Sequence, residues 1–318
     1  MIMDFQNKIS QLLVGVLLVI SGCSKEGALP PINENLDLDG RLINDSSLLF
    51  PQLYLQSAAI ENPTTAHLET PVIILAHGFS ATTFEWQEFK EYSNITKDFF
   101  TSQVLLGSHG RDYTDFKNGT WEQWQAPIIE EFNRLSALGY QKIHIAASST
   151  GCPLVLDMLH QKKIDLSKLQ KVFFIDPVVV PSNKTLTLVP AIGPALDYSE
   201  TTMEKGENGY WYKFRPYQAL DQLNEVTQKV RKELEDGVTL PNNIQLMVFK
   251  SSKDGTSDPV SAALLKRGVK NADGGSIDVV MVNSILHVYT RLRGRNEYSA
   301  DDIKNQQQTF KLIQSAIL

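Results

Sequence analysis

A serine on a predicted sharp turn is the first feature of this sequence that could carry chemistry. Ser149 follows the apolar segment Ile143–Ala146, which predicts a buried strand, and precedes Pro153, which suits the first turn of a helix. A serine held between a strand and a helix needs small residues two positions before and two positions after it, because the turn brings backbones close together. Ala147 and Gly151 occupy those positions. The pattern predicts that Ser149 is a nucleophile.

The residues around Ser149 offer alternatives. Ser148 fits less well, because Thr150 stands two positions after it and is larger than the turn favours. Cys152 lacks small flanking residues and is interpreted as a buried packing thiol. The serine-rich stretch could also cap the following helix without any chemistry.

An acid and a histidine follow Ser149 along the chain. Asp254 comes shortly after the apolar segment Ile244–Phe249, and His287 comes shortly after Ile277–Val282. Because parallel strands gather their carboxyl ends at one edge of a sheet, the three side chains can converge there. In such a triad the histidine takes the serine proton and the carboxylate orients the imidazole.

Two other aspartates compete for the role of the acid. Asp176 directly follows the strand candidate Val172–Ile175. Asp258 precedes Pro259 and could instead cap the next helix. Position along the chain favours Asp254 and leaves the other two open.

The body of the chain alternates short apolar segments with helical patterns. Several of the apolar segments are apolar on both faces, which is typical of strands buried in a parallel sheet. This alternation predicts an α/β fold in which helices cover a mostly parallel sheet. The strand candidates are Val72–Ala76, Gln103–Leu106, Ile143–Ala146, Val172–Ile175, Ile244–Phe249 and Ile277–Val282. The helix candidates are Trp121–Leu138, Pro153–Gln161, Tyr217–Glu235, Val260–Gly268 and Ser299–Ile317.

One stretch, at about residues 177–216, interrupts this alternation. It holds five of the 14 prolines and the aromatic run Tyr210–Tyr217. We interpret it as a small lid inserted over the sheet. The aromatic run either lines an acyl pocket or forms the insertion's own core.

Several segments resemble the carboxylesterase and monoacylglycerol-lipase group of α/β-hydrolases, over roughly residues 70–318. The segments are His77-Gly78-Phe79, Gly107-Ser108-His109-Gly110, Thr120-Trp121-Glu122-Gln123-Trp124, the Ser149 turn, Lys253-Asp254 and His287. The sequence departs from the group's pattern at Ala147, Ser148 and Cys152, which bears on the packing of the nucleophile's helix. The order serine, aspartate, histidine is also that of the α/β-hydrolase triad.

The resemblance implies an α/β-hydrolase fold and a role for each site residue. Ser149 would attack an ester carbonyl, His287 would shuttle the proton and Asp254 would orient the imidazolium. The backbone N–H groups of Phe79 and Thr150 would form the oxyanion hole.

The remaining histidines are interpreted as structural. His77 and His109 lie in loops, where turn-stabilising hydrogen bonds explain them, and His144 and His160 lie in a strand and at a helix end. No pair of histidines has the spacing of a metal-binding helix motif. We therefore predict no metal and no cofactor.

The N-terminus predicts export and lipidation. The apolar run at residues 9–20 has 12 residues, whereas a membrane-spanning helix needs about 20. The sequence Ile20-Ser21-Gly22-Cys23 resembles the lipobox of bacterial lipoproteins. We expect a signal peptide at 1–22, a lipidated tether at 23–45 and a hydrolase domain at 46–318, held at the membrane of the cell envelope through Cys23.

Composition narrows the possible functions. Lys and Arg number 30 against 36 for Asp and Glu, a net charge of −6, which argues against nucleic acid as a partner. The two cysteines exclude a disulfide scaffold. The hydrophobic fraction of 42% is that of a packed globular protein.

These observations together predict a serine hydrolase that cleaves small carboxylic esters through an acyl-enzyme, like a carboxylesterase or a lipase. Two alternatives stay open. One is a non-catalytic lipoprotein that binds a ligand or partner on the same fold. The other is a hydrolase of peptides, lactones or acylated polysaccharides.

Overall fold

The computed structural model describes residue 60, residues 62–183 and residues 197–318. The predicted signal peptide, the tether and Cys23 lie outside the described residues, as do residues 184–196 of the predicted lid. Within the described ranges, no helix is both long enough and apolar enough to cross a membrane.

Six parallel strands form the central sheet, and four short strands form two small ribbons. In chain order the strands are β1 (Val72–Ala76), β2 (Phe100–Val104), β3 (Ile143–Ser148), β4 (Leu169–Ile175), β5 (Tyr198–Glu200), β6 (Phe214–Pro216), β7 (Val238–Thr239), β8 (Gln245–Ser251), β9 (Val269–Lys270) and β10 (Asp278–Val282). The sheet order is β10-β8-β4-β3-β1-β2, and every neighbouring pair is parallel. The predicted parallel sheet is confirmed.

The second strand lies earlier than predicted. The expected segment was Gln103–Leu106, but β2 pairs with β1 from Phe100 to Val104. Its first two residues are only half-buried at the edge of the sheet, so the apolar pattern did not mark where the strand begins. Leu105 and Leu106 are buried in the loop that follows.

Helices cover both faces of the sheet. They are α1 (Thr65–Glu69), α2 (Gln87–Thr96), α3 (Tyr113–Asn118), α4 (Trp121–Leu138), α5 (Gly151–His160), α6 (Tyr217–Asp236), α7 (Val260–Gly268) and α8 (Ala300–Ile317), with short 3₁₀ helices at Thr83–Trp86 and Lys205–Glu207. The helices α4 to α8 confirm the five helix candidates to within two residues at each end. The helices α1, α2 and α3 were not predicted, because α1 and α3 are short and α2 buries only Phe89 and Ser93.

Two apolar clusters, one on each face of the sheet, form the core. Along β1, Val72, Ile74 and Ala76 face one cluster, while Ile73 and Leu75 face the other. The first cluster is completed by α4, α5, α6 and α7, and the second by α2 and α8. Burial on both faces explains why β1 is a continuous apolar run.

The ends of α4 show how local sequence sets these elements. The Thr120 side chain accepts a hydrogen bond from the Gln123 N–H, and the Gln123 side chain accepts one from the Thr120 N–H, which is a capping box. The helix ends at Gly139, whose φ of 96° is the left-handed conformation that favours glycine.

Candidate active site

All three predicted triad residues lie at the carboxyl edge of the sheet. Ser149 directly follows β3, Asp254 follows β8 and His287 follows β10. The chain adds β2 on one side of β1 and places β3 on the other, so the strand order reverses at the β1–β3 boundary. A crevice opens at such a reversal in parallel sheets, and the turn that carries Ser149 lies beside it.

The turn at Ser149 has the strained conformation that a nucleophile elbow requires. Ser149 has a φ of 48°, a left-handed value that is uncommon for residues other than glycine. A Cβ at Gly151 would stand 2.8 Å from the carbonyl oxygen of His77 and 2.9 Å from that of Ala76. Only glycine therefore lets α5 pack against the end of β1 without a shift of the backbone.

The structure brings the three predicted residues into a hydrogen-bonded relay. The Ser149 Oγ lies 2.8 Å from the His287 Nε2, and the His287 Nδ1 lies 2.7 Å from the Asp254 Oδ2. The Asp254 side chain is fully buried, whereas the His287 side chain is 20% exposed and faces a cavity. In the productive arrangement the serine hydroxyl donates to Nε2 and the Nδ1–H donates to the carboxylate.

Asp254 is held as an ionised carboxylate. Burial acts to raise its pKa, but the hydrogen bond and charge of His287 and the ammonium of Lys250 outweigh burial, and the pKa lies well below its usual range. Its Oδ1 accepts hydrogen bonds from the N–H groups of Thr256 (2.8 Å) and Ser257 (3.1 Å). The second oxygen is thus directed at His287.

Among the hydrogen bonds of the described residues, His287 Nδ1 bonds to Asp254 and to neither rival aspartate. Asp176 is buried and accepts hydrogen bonds from the N–H (2.6 Å) and hydroxyl (3.1 Å) of Ser251. Asp258 accepts from the Val260 N–H at 3.0 Å, which supports the start of α7. The fold therefore places Asp254, and neither rival, against the histidine.

A buried lysine, Lys250, lies between the carboxylates of Asp176 and Asp254 and was not predicted as a site residue. Its Nζ pairs with the Oδ2 of Asp254 and, at 3.2 Å, with the Oδ1 of Asp176, and all three side chains are fully buried. The sequence did contain a sign of this pairing, because Lys250 directly follows the apolar strand candidate Ile244–Phe249. A lysine in such a buried position is expected to have an acidic partner.

Asp176, Asp254 and His287 form a cluster of side chains of the types that bind metal ions. Ligand atoms of Asp176, Asp254 and His287 lie within 4.8 Å of one another. The ammonium of Lys250 already compensates the two carboxylates. The Nδ1 of His287 is also engaged with Asp254.

The loop after β1 lies against the nucleophile turn. A Cβ on Gly78 would stand 2.8 Å from the Ser149 Cβ, and the neighbouring Phe79 lines the same cavity as Ser149 and Thr150. None of the hydrogen bonds recorded for the described residues uses the backbone N–H of Phe79 or of Thr150. Phe79 and Thr150, the two residues predicted to supply the oxyanion donors, thus both line the cavity beside Ser149.

Glu85 joins this loop to the nucleophile turn, and it too was missed from the sequence. Its Oε1 accepts the Gly78 N–H at 2.8 Å and the hydroxyl of Ser148. The hydroxyl of Ser148, one of the departures from the family pattern, is therefore used to bind Glu85. The carboxylate fixes the spacing between the two strand ends.

The histidines of the two loops are structural, as predicted. His77 is fully buried, its Nε2 accepts the Leu106 N–H at 3.0 Å and its Nδ1 donates to the Gly78 carbonyl at 2.8 Å. Burial is the main cause that holds the pKa of His77 well below its usual range, and the electrostatic effect of the neighbouring His109 lowers it further. Burial lowers the pKa of His109 to about 4. Both rings are therefore neutral at physiological pH.

Cys152 is buried behind the nucleophile, as predicted. Its side chain is 1% exposed, and its Sγ lies 3.2 Å from the carbonyl oxygen of Ala147. Burial raises the pKa of the thiol well above its usual range, so a thiolate is disfavoured.

A cavity of about 520 Å³ opens above Ser149 and His287. The aromatic run divides between the two roles left open by the sequence. Trp211 and Tyr217 line the cavity. Tyr210 and Tyr212 instead stack on Phe84 and Phe116, with ring centroids 4.0 and 4.1 Å apart.

Several solved structures that share this fold are described as lipolytic enzymes or lipases. A structure of the metagenome-derived lipolytic enzymes LipS and LipT has a TM-score of 0.62 at 14% identity, over 78% of this chain and 94% of that one. A soluble variant of monoglyceride lipase from Saccharomyces cerevisiae has a TM-score of 0.61 at 10% identity, over 82% and 89% of the two chains. Monoacylglycerol lipase from Paleococcus ferrophilus has a TM-score of 0.57 at 13% identity, over 78% and 96%.

The chain therefore has the α/β-hydrolase fold, with its parallel sheet, its crossover helices and its strand order. Comparison of the sequence with protein-family models gives no match, and comparison with curated protein sequences gives none. A likeness at these identities shows the fold, and the chemistry has to be argued from the site.

Proposed function

We propose that this protein is a serine hydrolase that cleaves small carboxylic esters through an acyl-enzyme intermediate. The observation that carries the proposal is the relay from Ser149 through His287 to Asp254, with hydrogen-bond distances of 2.8 and 2.7 Å. The relay is complete and faces a cavity, which weighs against a non-catalytic binding role.

In the first step the Ser149 Oγ attacks the ester carbonyl carbon while the Nε2 of His287 takes the hydroxyl proton. Asp254 stays ionised and stabilises the imidazolium. The N–H groups of Phe79 and Thr150 donate to the oxyanion, each worth about 3 kcal/mol in comparable enzymes. The imidazolium then gives its proton to the leaving alkoxide, the carbon–oxygen bond breaks and the alcohol departs.

In the second step water replaces the alcohol. His287 takes a proton from the water, the hydroxide adds to the acyl carbon, and collapse of the intermediate releases the carboxylic acid and restores the Ser149 hydroxyl. The proposal of an ester substrate agrees with the similar structures described above, a lipolytic enzyme, a monoglyceride lipase and a monoacylglycerol lipase.

The stretch at about residues 177–216 acts, in this proposal, as the lid that shapes the substrate pocket. Support comes from its described part, where Pro181, Tyr198, Trp211 and Arg215 line the same cavity as Ser149.

The test of the mechanism is loss of the nucleophile. Purified protein should hydrolyse p-nitrophenyl butyrate and react with a fluorophosphonate probe, and Ser149→Ala should lose both, with turnover lowered at least about 10³-fold. Ser148→Ala is the matched control, because its hydroxyl binds Glu85, and it should still be labelled by the probe. Full activity in Ser149→Ala would reject the assignment.

We further propose that Cys23 is lipidated and holds the hydrolase domain at a membrane of the cell envelope. Support comes from the Ile20-Ser21-Gly22-Cys23 motif directly after an apolar run. Metabolic labelling with an alkyne fatty acid should mark the wild type and not Cys23→Ala. Equal labelling of both would reject the lipidation.

A further inference from the structure

Three arginines line the cavity above the nucleophile, and two of them have carboxylate partners. The Nη2 of Arg291 lies 2.6 Å from the Oε1 of Glu207. The Nη1 of Arg295 lies 3.4 Å from the Oε1 of Glu204. These pairs compensate the charges of Arg291 and Arg295 within the wall of the cavity.

The third arginine, Arg215, has no such partner. Among the ion pairs of the described residues none includes it, and its buried Nε has no hydrogen-bond partner. Burial lowers the pKa of its guanidinium and the charge of Glu207 partly offsets this. An arginine remains charged at neutral pH because its usual pKa exceeds 12. Within the described residues, the cavity wall thus holds a partly buried guanidinium that has no carboxylate partner.

The position of Arg215 ties it to the site of reaction. It lies on β6, in the middle of the two-stranded ribbon with β5, where it pairs with Ser199 through the backbone. Its guanidinium carbon is 5.9 Å from the ring centroid of Phe79, the residue whose N–H is a proposed oxyanion donor. A group bound by Arg215 would therefore belong to the molecule that reacts with Ser149.

The acidic groups at the cavity are engaged elsewhere. Glu207 accepts from Arg291, and Glu85 accepts the Gly78 N–H and the hydroxyl of Ser148. Burial of an unpaired charge is unfavourable, and a contact with one aromatic ring offsets only part of that cost. A planar guanidinium at the wall of a cavity matches a carboxylate, which it can bind through two parallel hydrogen bonds.

We propose that Arg215 binds a carboxylate carried by the substrate, so that the preferred substrates are anionic esters. This inference rests on the proposed esterase function and specifies its substrate class. The carboxylate is carried either on the acyl side or on the alcohol side of the ester, and the experiment below separates the two sources.

The test compares charged esters with neutral esters of the same shape. On the acyl side, monomethyl glutarate is paired with methyl 5-methylhexanoate. On the alcohol side, 3-acetoxypropanoate is paired with 3-methylbutyl acetate. Hydrolysis is followed by acid release at constant pH and ionic strength. For at least one pair, kcat/KM should be about 10- to 100-fold higher for the charged ester.

Substitution of Arg215 should remove this preference selectively. Arg215→Gln should lower kcat/KM for the charged ester to about that of its neutral partner while changing the neutral ester little. Arg215→Lys keeps the positive charge but loses the two parallel N–H donors of the guanidinium, so it should retain part of the preference for the charged ester. This variant replaces Arg215→Gln in the test if Arg215→Gln does not fold. Arg293→Gln is the matched control, because Arg293 is 41% exposed and pairs with Glu91 away from the cavity.

A binding measurement separates failure of this inference from failure of the proposed function. Ser149→Ala should bind glutarate in titration calorimetry, and Ser149→Ala with Arg215→Gln should bind it at least about tenfold more weakly. Glutarate binding without ester hydrolysis would reject the esterase and keep the anion site. Equal rates on charged and neutral esters, equal losses on both in Arg215→Gln, or no Arg215-dependent binding would each overturn the anion site.

Discussion

At the scale of single residues, the site is a set of buried charges that compensate one another. The Asp254 carboxylate serves His287 on one side and Lys250 on the other, and Lys250 also pairs with Asp176. A buried charge that loses its partner is left desolvated, so these groups have to be considered as one unit.

Removal of Lys250 tests this coupling. Lys250→Met leaves two buried carboxylates facing each other and should lower the free energy of unfolding by about 3–5 kcal/mol, measured by urea denaturation. Adding Asp176→Asn removes one of the two charges and should recover part of that loss. Lys253→Met, at an exposed lysine in the turn that follows β8, should change stability by less than about 0.5 kcal/mol. A double variant no more stable than Lys250→Met alone would contradict the coupling.

The depressed pKa of Asp254 gives a pH dependence with a definite sign. Its stabilising contribution is fully present above the pKa of an unfolded aspartate, about 3.9, and is lost as the pH falls through the lower pKa of the folded state. The difference in free energy of unfolding between wild type and Asp254→Asn should therefore narrow as the pH falls below about pH 4.

The control for this pH series is Asp278→Asn, at an exposed aspartate that begins β10. Its effect on stability should stay within about 0.5 kcal/mol. If the difference in free energy of unfolding between wild type and Asp254→Asn stays undiminished down to pH 3, the coupling of the carboxylate to its buried partners is contradicted.

At the scale of elements, the ends of strands β1 and β3 build the nucleophile turn. Helix α5 starts so close to β1 that Gly151 has carbonyl oxygens on two sides. Ala147, two positions before the nucleophile, has a Cβ, so the usual glycine is dispensable at that position but not at Gly151. Helix position and catalytic geometry are thus set by one residue.

A methyl group at Gly151 should disturb both the position of helix α5 and the geometry of the turn at Ser149. Gly151→Ala places a Cβ 2.8 and 2.9 Å from two backbone oxygens, and the helix has to move away from the strand. We expect a loss of about 2 kcal/mol in the free energy of unfolding and a loss of esterase activity in the protein that still folds. Gly255→Ala, where a Cβ meets no atom within 4 Å, is the matched control for stability. Equal stability of the two variants would contradict this account of the turn.

At the scale of the whole molecule, the strand order explains where the site forms. All six strands of the sheet run in one direction, so the loops that carry Ser149, Asp254 and His287 leave from one edge. The helices that cover both faces leave this edge open, and the described part of the 177–216 stretch contributes one wall of the cavity there. Substrate preference is therefore expected to depend on that stretch, whereas the sheet holds the reacting groups.

Local sequence patterns were enough to predict the strands of the central sheet and five of the helices, although β2 begins earlier than predicted and α1, α2 and α3 were not predicted. The parallel sheet, five long helices and the turn at Ser149 follow from local patterns of apolar residues, caps and small side chains, because those patterns act over a few neighbours along the chain. The sequence also put Ser149, Asp254 and His287 after the correct strands.

Only the tertiary structure decided which groups meet. The serine and histidine that share a hydrogen bond are 138 positions apart. Position along the chain favoured Asp254 over Asp176 as the partner of that histidine, but it left Asp176 open. The roles of Lys250, Glu85 and Arg215 depend on burial and on what lies opposite each charge. Those quantities are properties of packing between distant segments, so they exist only once the chain has folded.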